Sequence, residues 1–98
     1  MLVRIVRMTF EEDKLPDFHA LFDQSKHRIR AFPGNRHLEL LRDPDNPGVR
    51  ITYSLWDSAD DLEVYRQSEL FSTTWAATKV LFAEKAVAFS GEKIEDVQ

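Results

Sequence analysis

Cysteine is absent from the 98 residues of this sequence, and its absence excludes several kinds of site. Disulfide bonds, zinc–thiolate centres, thiolate-bound iron–sulfur clusters and thiol catalysis all require it. No apolar run approaches the roughly 20 residues that a membrane-spanning helix needs. The 13 Lys and Arg residues are outnumbered by 17 Asp and Glu residues, so the chain also lacks the positive field that binds nucleic-acid phosphates. We therefore expect neither a nucleic acid nor a membrane as a partner.

The length of the chain bounds the depth of any site. One domain over residues 1–98 is expected, with an ordinary 43% of hydrophobic and 31% of charged residues. Size scaling gives about 5,800 Å² of folded surface and a single thin core. A pocket must then be shallow or share a wall with a second copy. Residues 1–7 include two Arg residues and lack the apolar segment of a signal peptide, which favours a cytoplasmic location.

Hydrophobic periodicity predicts the element order β-α-β-β-α-β. Strands are expected over residues 2–10, 37–43, 49–56 and 86–94. This order is that of the ferredoxin-like α+β fold, in which a four-stranded antiparallel sheet carries two helices on one face.

The predicted helices have defined ends. Asp13 is the expected N-cap of the first helix, which ends at Pro33 and Gly34. Ser58 is the expected N-cap of the second helix, and Ser68 restarts that helix after a small kink. The second helix is expected to carry an apolar stripe made of Phe71, Trp75, Thr78 and Phe82.

The second face of the sheet cannot be wholly polar. Whichever strand parity faces the helices, the other face keeps several large apolar side chains from the set Met8, Phe10, Leu41, Tyr53, Leu55 and Trp56. Contiguous apolar surface of this kind is usually covered by another molecule. A twofold homodimer, sheet against sheet, is the expected cover.

Residues 55–71 form a pattern that is typical of one family. A strand ends in Trp56, Ser58 begins a helix with an acidic first turn, and an aromatic residue and a Ser-x-x-Phe sequence follow. This pattern resembles the antibiotic biosynthesis monooxygenase family, and Pro33-Gly34 before the second strand is also similar to that family. The resemblance implies a dimeric α+β barrel with a pocket between sheet and helices in each subunit. Some members oxidise quinols or aromatic polyketides with O₂ and no cofactor, some degrade haem, and many have no known activity.

The haem-degrading branch of the family differs from this chain at three positions. The resemblance to that branch requires a Trp where Tyr65 stands, an iron-binding His where Trp75 stands, and an Asn on the first strand, which has none. Haem degradation and a haem cofactor are therefore not expected. A metal site is not expected either, because His19 and His27 are eight residues apart on one helix and do not face each other.

The resemblance implies a cofactor-independent monooxygenase acting on a small aromatic or quinol substrate. In that hypothesis Tyr65 is the catalytic residue, which holds or deprotonates a phenol, and Trp56, Trp75 and Phe71 form pocket walls. The alternative for each Trp is a core position, and for Tyr65 a half-buried side chain with a hydrated hydroxyl. The alternative for the whole chain is a non-catalytic dimeric module that binds a small ligand, with its pocket blocked by side chains.

Two further residues are candidates for substrate binding. His37 shares a strand face with Glu39 and could handle protons with it, or else form a polar pair with Arg50. Arg4 and Arg7 have opposite parity on the first strand, so at least one of them faces inward or into an interface. Such an Arg needs a carboxylate partner. A salt bridge within the protein is favoured over a ligand carboxylate, and Arg7 is the candidate for binding a ligand.

Overall fold

The computed structural model describes all 98 residues and contains one antiparallel sheet with the strand order β2-β3-β1-β4. The strands are β1 (Leu2–Phe10), β2 (Asn35–Arg42), β3 (Val49–Trp56) and β4 (Phe82–Glu92). The helices are α1 (Leu15–Arg30), α2 (Ala59–Arg66) and α3 (Glu69–Lys79). The predicted ferredoxin-like order is confirmed, with the second helix divided in two.

The division of the second helix occurs at Ser68, as predicted. The Ser58 hydroxyl accepts a hydrogen bond from the backbone N–H of Asp61 at 3.1 Å, and the Ser68 hydroxyl accepts one from Phe71 at the same distance. Each hydroxyl satisfies an N–H that would otherwise lack a partner at a helix start. The prediction for α1 is wrong, because Asp13 lies within a short 3₁₀ turn and the α1 cap position is Lys14, which makes no side-chain capping bond.

The boundary between α3 and β4 also differs from the prediction. β4 begins at Phe82 rather than at residue 86, so Phe82 does not belong to the helical stripe. It pairs with Phe10 of β1, with ring centroids 5.4 Å apart. An apolar residue satisfies a helical stripe and a buried strand equally well, and burial against β1 decides in favour of the strand.

Alternation along the strands sends Met8, Phe10 and Trp56 to the helix side of the sheet, where all three are buried. The core there consists of two small clusters. One contains Leu2, Trp56 and Leu62, and the other contains Met8, Phe10 and Phe18. Because the two clusters are separate, space remains between them under the helices.

The turn from α1 into β2 depends on Gly34. Its φ angle is 88°, which only glycine adopts readily, and a Cβ at this position would lie 2.6 Å from the Cβ of Asp61. The turn therefore brings β2 close to the start of α2. None of the three helices combines the length and apolarity required to cross a membrane.

Candidate functional site

A cavity of about 290 Å³ lies between the helix-facing side of the sheet and the helices. On α3 its lining residues are Phe71, Thr74, Trp75 and Thr78, whose spacing of three and four places them on one face of the helix. Val6 and Ala88 contribute from the sheet below. Most of the lining is apolar, and the volume suits a ligand of one or two aromatic rings.

One wall of the cavity is a continuous series of aromatic rings. Trp56 stacks on Tyr65 with ring centroids 4.9 Å apart, and Tyr65 contacts Phe71 edge-on at 5.3 Å. Phe71 in turn stacks on Trp75 at 5.9 Å with only 11° between the ring planes. The break between α2 and α3 at Ser68 allows rings from two helices to join in one wall. The four residues predicted from the 55–71 pattern and the helical stripe therefore lie together at this cavity.

Trp56 is both a core residue and a cavity wall. Its side chain is 1% exposed, and its indole N–H donates a hydrogen bond to the Ser54 hydroxyl at 3.0 Å. This bond satisfies the only polar atom of the ring and fixes its plane. Trp75 combines the same two functions, because it packs against the Met8 cluster and also lines the cavity.

Tyr65 lines this space, and its phenol makes no hydrogen bond within the chain. Burial raises the pKa of Tyr65 to about 12, and no charged or hydrogen-bonding neighbour offsets that effect. The hydroxyl is therefore neutral at pH 7. A neutral phenol can donate a hydrogen bond to a ligand oxygen, but it cannot remove a proton from a substrate at this pH.

Two arginines give one part of the cavity a positive charge. Arg4 and Arg66 both line it. Burial lowers the pKa of Arg4, and the charge of Arg66 lowers it further. The parity of β1 had indicated that Arg4 or Arg7 faces inward, but no pattern in the sequence indicated Arg66. Its orientation depends on where α2 ends.

The remaining polar groups around the cavity are hydroxyls, and those of Thr52 and Thr74 make no hydrogen bond within the chain. The Ser25 hydroxyl donates to the carbonyl of Leu21 at 3.0 Å, and the Thr78 hydroxyl donates to that of Thr74 at 2.7 Å. The hydroxyls of Ser25 and Thr78 are thus occupied within their own helices. No Asp, Glu, His or Lys lines the cavity, so its ionisable groups are the phenol of Tyr65 and the two guanidinium groups.

The structure places His37 and Arg7 on the opposite face of the sheet. The His37 Nε2 atom lies 3.5 Å from a Glu39 carboxylate oxygen, and the Arg7 Nη2 atom lies 3.7 Å from an Asp43 oxygen. Neither residue lines the cavity. Odd-numbered residues of β1 point away from the helices, and both faces of the sheet are rich in apolar residues, so parity could not be decided from the sequence.

No group of three His, Cys, Asp or Glu side chains lies close enough together to hold a metal ion. His19 accepts a hydrogen bond from the Nε atom of Arg50 at 3.2 Å. Arg50 was the alternative partner expected for His37, and the structure instead pairs Arg50 with His19. His27 lies in the last turn of α1 and is exposed.

Comparison with known proteins identifies the family. The sequence profile of the antibiotic biosynthesis monooxygenase family matches residues 1–77. No curated protein matches the chain. Among solved structures, a Nitrosomonas europaea protein that carries the same family name is 19% identical, with a TM-score of 0.88 over 97% of this chain and 100% of that one.

Two further solved structures share the fold at similarly low sequence identity. A protein from Mycobacterium tuberculosis is 20% identical, with a TM-score of 0.88 over 99% of this chain and 98% of its own. SnoaB from Streptomyces nogalater, a cofactor-independent oxygenase solved in a mutant form, is 15% identical, with a TM-score of 0.84 over 98% of this chain and 95% of its own. Identities this low show the fold alone, whereas the profile match covers most of the sequence. The chain belongs to the antibiotic biosynthesis monooxygenase family.

Proposed function

We propose that the protein is a cofactor-independent oxygenase of a small aromatic or quinol substrate. The observation that carries the proposal is the apolar cavity with its series of stacked rings and one unpaired, neutral phenol at Tyr65. Family membership supports it, as does the likeness in fold to the oxygenase from Streptomyces nogalater.

The shape of the cavity favours a planar ligand. Trp56, Phe71 and Trp75 offer ring faces and edges, which stack on aromatic ligands at centroid distances of roughly 4.5–7 Å. A quinol hydroxyl within reach of Tyr65 would accept the hydrogen bond that the phenol makes with no protein group. Stacking and this one bond would hold the ring in a fixed orientation, which lowers the entropic cost of the reaction.

The chemistry requires only the substrate and O₂. A deprotonated phenol transfers one electron to O₂, and recombination of the two radicals forms a carbon–oxygen bond to a hydroperoxide. The O–O bond then breaks, water leaves, and the attacked carbon becomes a carbonyl carbon. In an anthrone this is the CH₂ carbon, and in a quinol it is the ring C–H carbon beside the ionised oxygen, which gives a hydroxyquinone. The substrate supplies all four electrons that reduce O₂, so the balance closes without another reductant.

The protein would act on this sequence by position and charge. Tyr65, with a pKa of about 12, donates a hydrogen bond to the substrate oxygen and does not serve as the base. The positive charge of Arg4 and Arg66 stabilises a substrate anion, which lowers the pKa of the bound phenol. The apolar walls exclude water from the peroxide intermediate.

A homodimer through the open sheet face completes this proposal. In that face Ile5 lies between Tyr53 and Phe89 on the neighbouring strands, and Phe89 is 55% exposed. The single chain exposes 6446 Å², about a tenth more than size scaling gives. The excess is consistent with an apolar face that a second copy covers, together with an exposed C-terminal tail.

The test uses metal-free protein and isotopically labelled oxygen. The protein is treated with a chelator, mixed with a panel of naphthoquinols and anthrones under ¹⁸O₂, and the products are analysed by mass spectrometry. The expected product carries one labelled oxygen atom, at a rate above that of the protein-free reaction. Hydrogen peroxide as the only reduced product would contradict oxygenation.

The second candidate is a binding module without catalysis. Its pocket was expected to be blocked by side chains, and the open cavity of about 290 Å³ does not meet that expectation. The lack of any general base in the cavity favours this candidate. Binding of a panel member with no oxygen consumption would select this candidate. The pH dependence of the rate above the protein-free reaction tests the oxygenase alone. If the substrate ionises without help from a protein base, the rate should rise through the pKa of each substrate, and the midpoint should follow that pKa across the panel.

A further inference from the structure

Arg4 is the one cationic side chain that the sheet directs into the cavity without a carboxylate partner. No Asp or Glu oxygen lies within 4.0 Å of its guanidinium group, whereas Arg7 on the same strand has Asp43. A single bond, from Nη1 to the Ser90 hydroxyl at 3.1 Å, is its only hydrogen bond to the protein. A guanidinium group has five N–H donors, so most of its donors remain free.

Arg66 adds a second positive charge at the same cavity. It ends α2, where the carbonyl end of the helix favours a cation. Its contact with Glu63, 3.3 Å between Nη1 and a carboxylate oxygen, is on the exposed surface and leaves the guanidinium group about half exposed. The charge of Arg66 repels that of Arg4, and no carboxylate of the chain pairs with Arg4 to compensate for this repulsion.

We infer that Arg4 and Arg66 form a binding site for the anionic oxygen group of an aromatic ligand, above all a carboxylate, whose ring lies along the aromatic wall. The inference rests on the proposed function because it specifies the substrate of that same cavity. Arg4 pairs directly with Ser54 across β1 and β3, and Ser54 holds the Trp56 indole. The anion would therefore lie at the Trp56 end of the wall.

The carboxylates of Glu63 and Glu92 do not pair with Arg4. Glu63 contacts Arg66 from the outside and also accepts a bond from the Gln67 amide at 2.8 Å. Glu92 follows Ser90 by two residues on β4, where it is paired with Leu2 rather than with Arg4. An aromatic carboxylate would supply both the ring that the wall accepts and the charge that Arg4 lacks, with the two-bond geometry that guanidinium groups favour.

The test compares two ligands of equal size by isothermal titration calorimetry: 2-naphthoate and its neutral analogue 2-naphthamide. We expect naphthoate to bind about tenfold more tightly, because hydrogen bonds to charged groups are stronger than those between neutral groups. Raising the salt concentration should weaken naphthoate binding and leave naphthamide binding unchanged. A free phenol, 2-naphthol, distinguishes a carboxylate site from a phenolate site. At a phenolate site the affinity for naphthol should approach that for naphthoate at alkaline pH, where the phenol is ionised. At a carboxylate site naphthol should bind more weakly than naphthoate at every pH.

Four variants locate the preference. Arg4→Met removes the charge but keeps an apolar stem, and it should reduce the naphthoate preference to less than about threefold. Arg4→Lys, which keeps the charge, should retain part of the preference for naphthoate. Arg28→Met removes one exposed charge from α1, outside the cavity, and should keep the full preference. Glu63→Gln removes the carboxylate beside Arg66 and should increase the preference about twofold.

The direction of the Glu63→Gln effect is the most selective readout, since a merely structural role for the ion pair would not strengthen anion binding. Equal affinity of the wild-type protein for naphthoate and naphthamide, or binding of neither, would overturn the inference. So would an Arg4→Met variant that loses both ligands alike. These measurements involve no turnover. A carboxylate preference without oxygen uptake would therefore reject only the oxygenase, and the reverse result would reject only the anion site.

Discussion

Ionisation of Tyr65 should destabilise the protein at alkaline pH, and Tyr65→Phe should remove that effect. The pKa of the phenol rises from 10.0 to about 12 on folding because folding removes most of the water around the half-buried ring. The folded state therefore holds the proton more tightly than the unfolded state. The stabilisation is fully present below pH 10, where both states are protonated, and is lost as the pH rises toward 12.

The size of the effect follows from the two pKa values. A rise from 10.0 to about 12 corresponds to about 2.7 kcal/mol. By about pH 11, roughly half of this, ~1.4 kcal/mol, should be lost from the free energy of unfolding. Tyr65→Phe keeps the ring that stacks on Trp56 and removes no hydrogen bond within the chain. Its stability at about pH 8 should therefore match the wild type within about 0.5 kcal/mol.

Urea unfolding at about pH 8 and pH 11, at a fixed protein concentration, measures the difference. Other groups that titrate in this range affect both proteins equally, so the comparison isolates Tyr65. Tyr53→Phe is the matched control, since it removes the other tyrosine hydroxyl, on the opposite face of the sheet. It should retain the alkaline loss of the wild type. Equal losses in the wild type and in Tyr65→Phe would refute the account of a buried, neutral phenol.

Three further predictions concern stability and assembly. Gly34→Ala should lower the free energy of unfolding by about 1–3 kcal/mol in urea titrations, because its φ of 88° and the 2.6 Å approach to Asp61 exclude a Cβ; an unchanged midpoint would contradict this. Ser68→Ala should cost about 1 kcal/mol through loss of the α3 cap, and it should weaken ligand binding measured by calorimetry, since its hydroxyl also donates to the Tyr65 carbonyl at 2.6 Å. Phe89→Asp, on the open sheet face, should convert a dimer into monomers in light scattering, whereas Val64→Asp, 61% exposed on α2, should not; a Phe89→Asp dimer would place the interface elsewhere.

The sequence was sufficient for the fold because most local signals agree with it. The bounds of β1 and β3 are as predicted, and a run of turn-forming residues over 43–48 marks where β3 begins. The prediction failed where the same residues suit two kinds of secondary structure. Phe82 continues the spacing of the helical stripe in the sequence, but in the structure it pairs with Phe10 in the sheet. Asp13 has a side chain that favours helix caps, yet an intervening 3₁₀ turn moves the start of α1 to Leu15.

The site was only partly predictable, for a reason that lies in the sheet. Trp56, Tyr65, Phe71 and Trp75 could be assigned to one pocket by the 55–71 pattern and by helical spacing. Parity could not be assigned in the same way, because both faces of β1 carry apolar residues together with one Arg. That ambiguity placed Arg7 in the site, whereas the structure places Arg4 there. Arg66 depends on where α2 ends, which is a tertiary property.

Oxygen consumption by a cavity-filled variant tests the central claim, that this cavity is where an aromatic substrate meets O₂. Ala88 lines the cavity from the edge strand β4, and Ala88→Phe should fill much of the 290 Å³. Ala76→Phe adds the same ring to an exposed position on α3 as the control. With metal-free protein and the substrate selected from the quinol and anthrone panel, the account predicts oxygen uptake by the wild type and Ala76→Phe, and none above the protein-free rate by Ala88→Phe. Equal uptake by a folded Ala88→Phe variant, or no uptake by the wild type with any member of the panel, would contradict it.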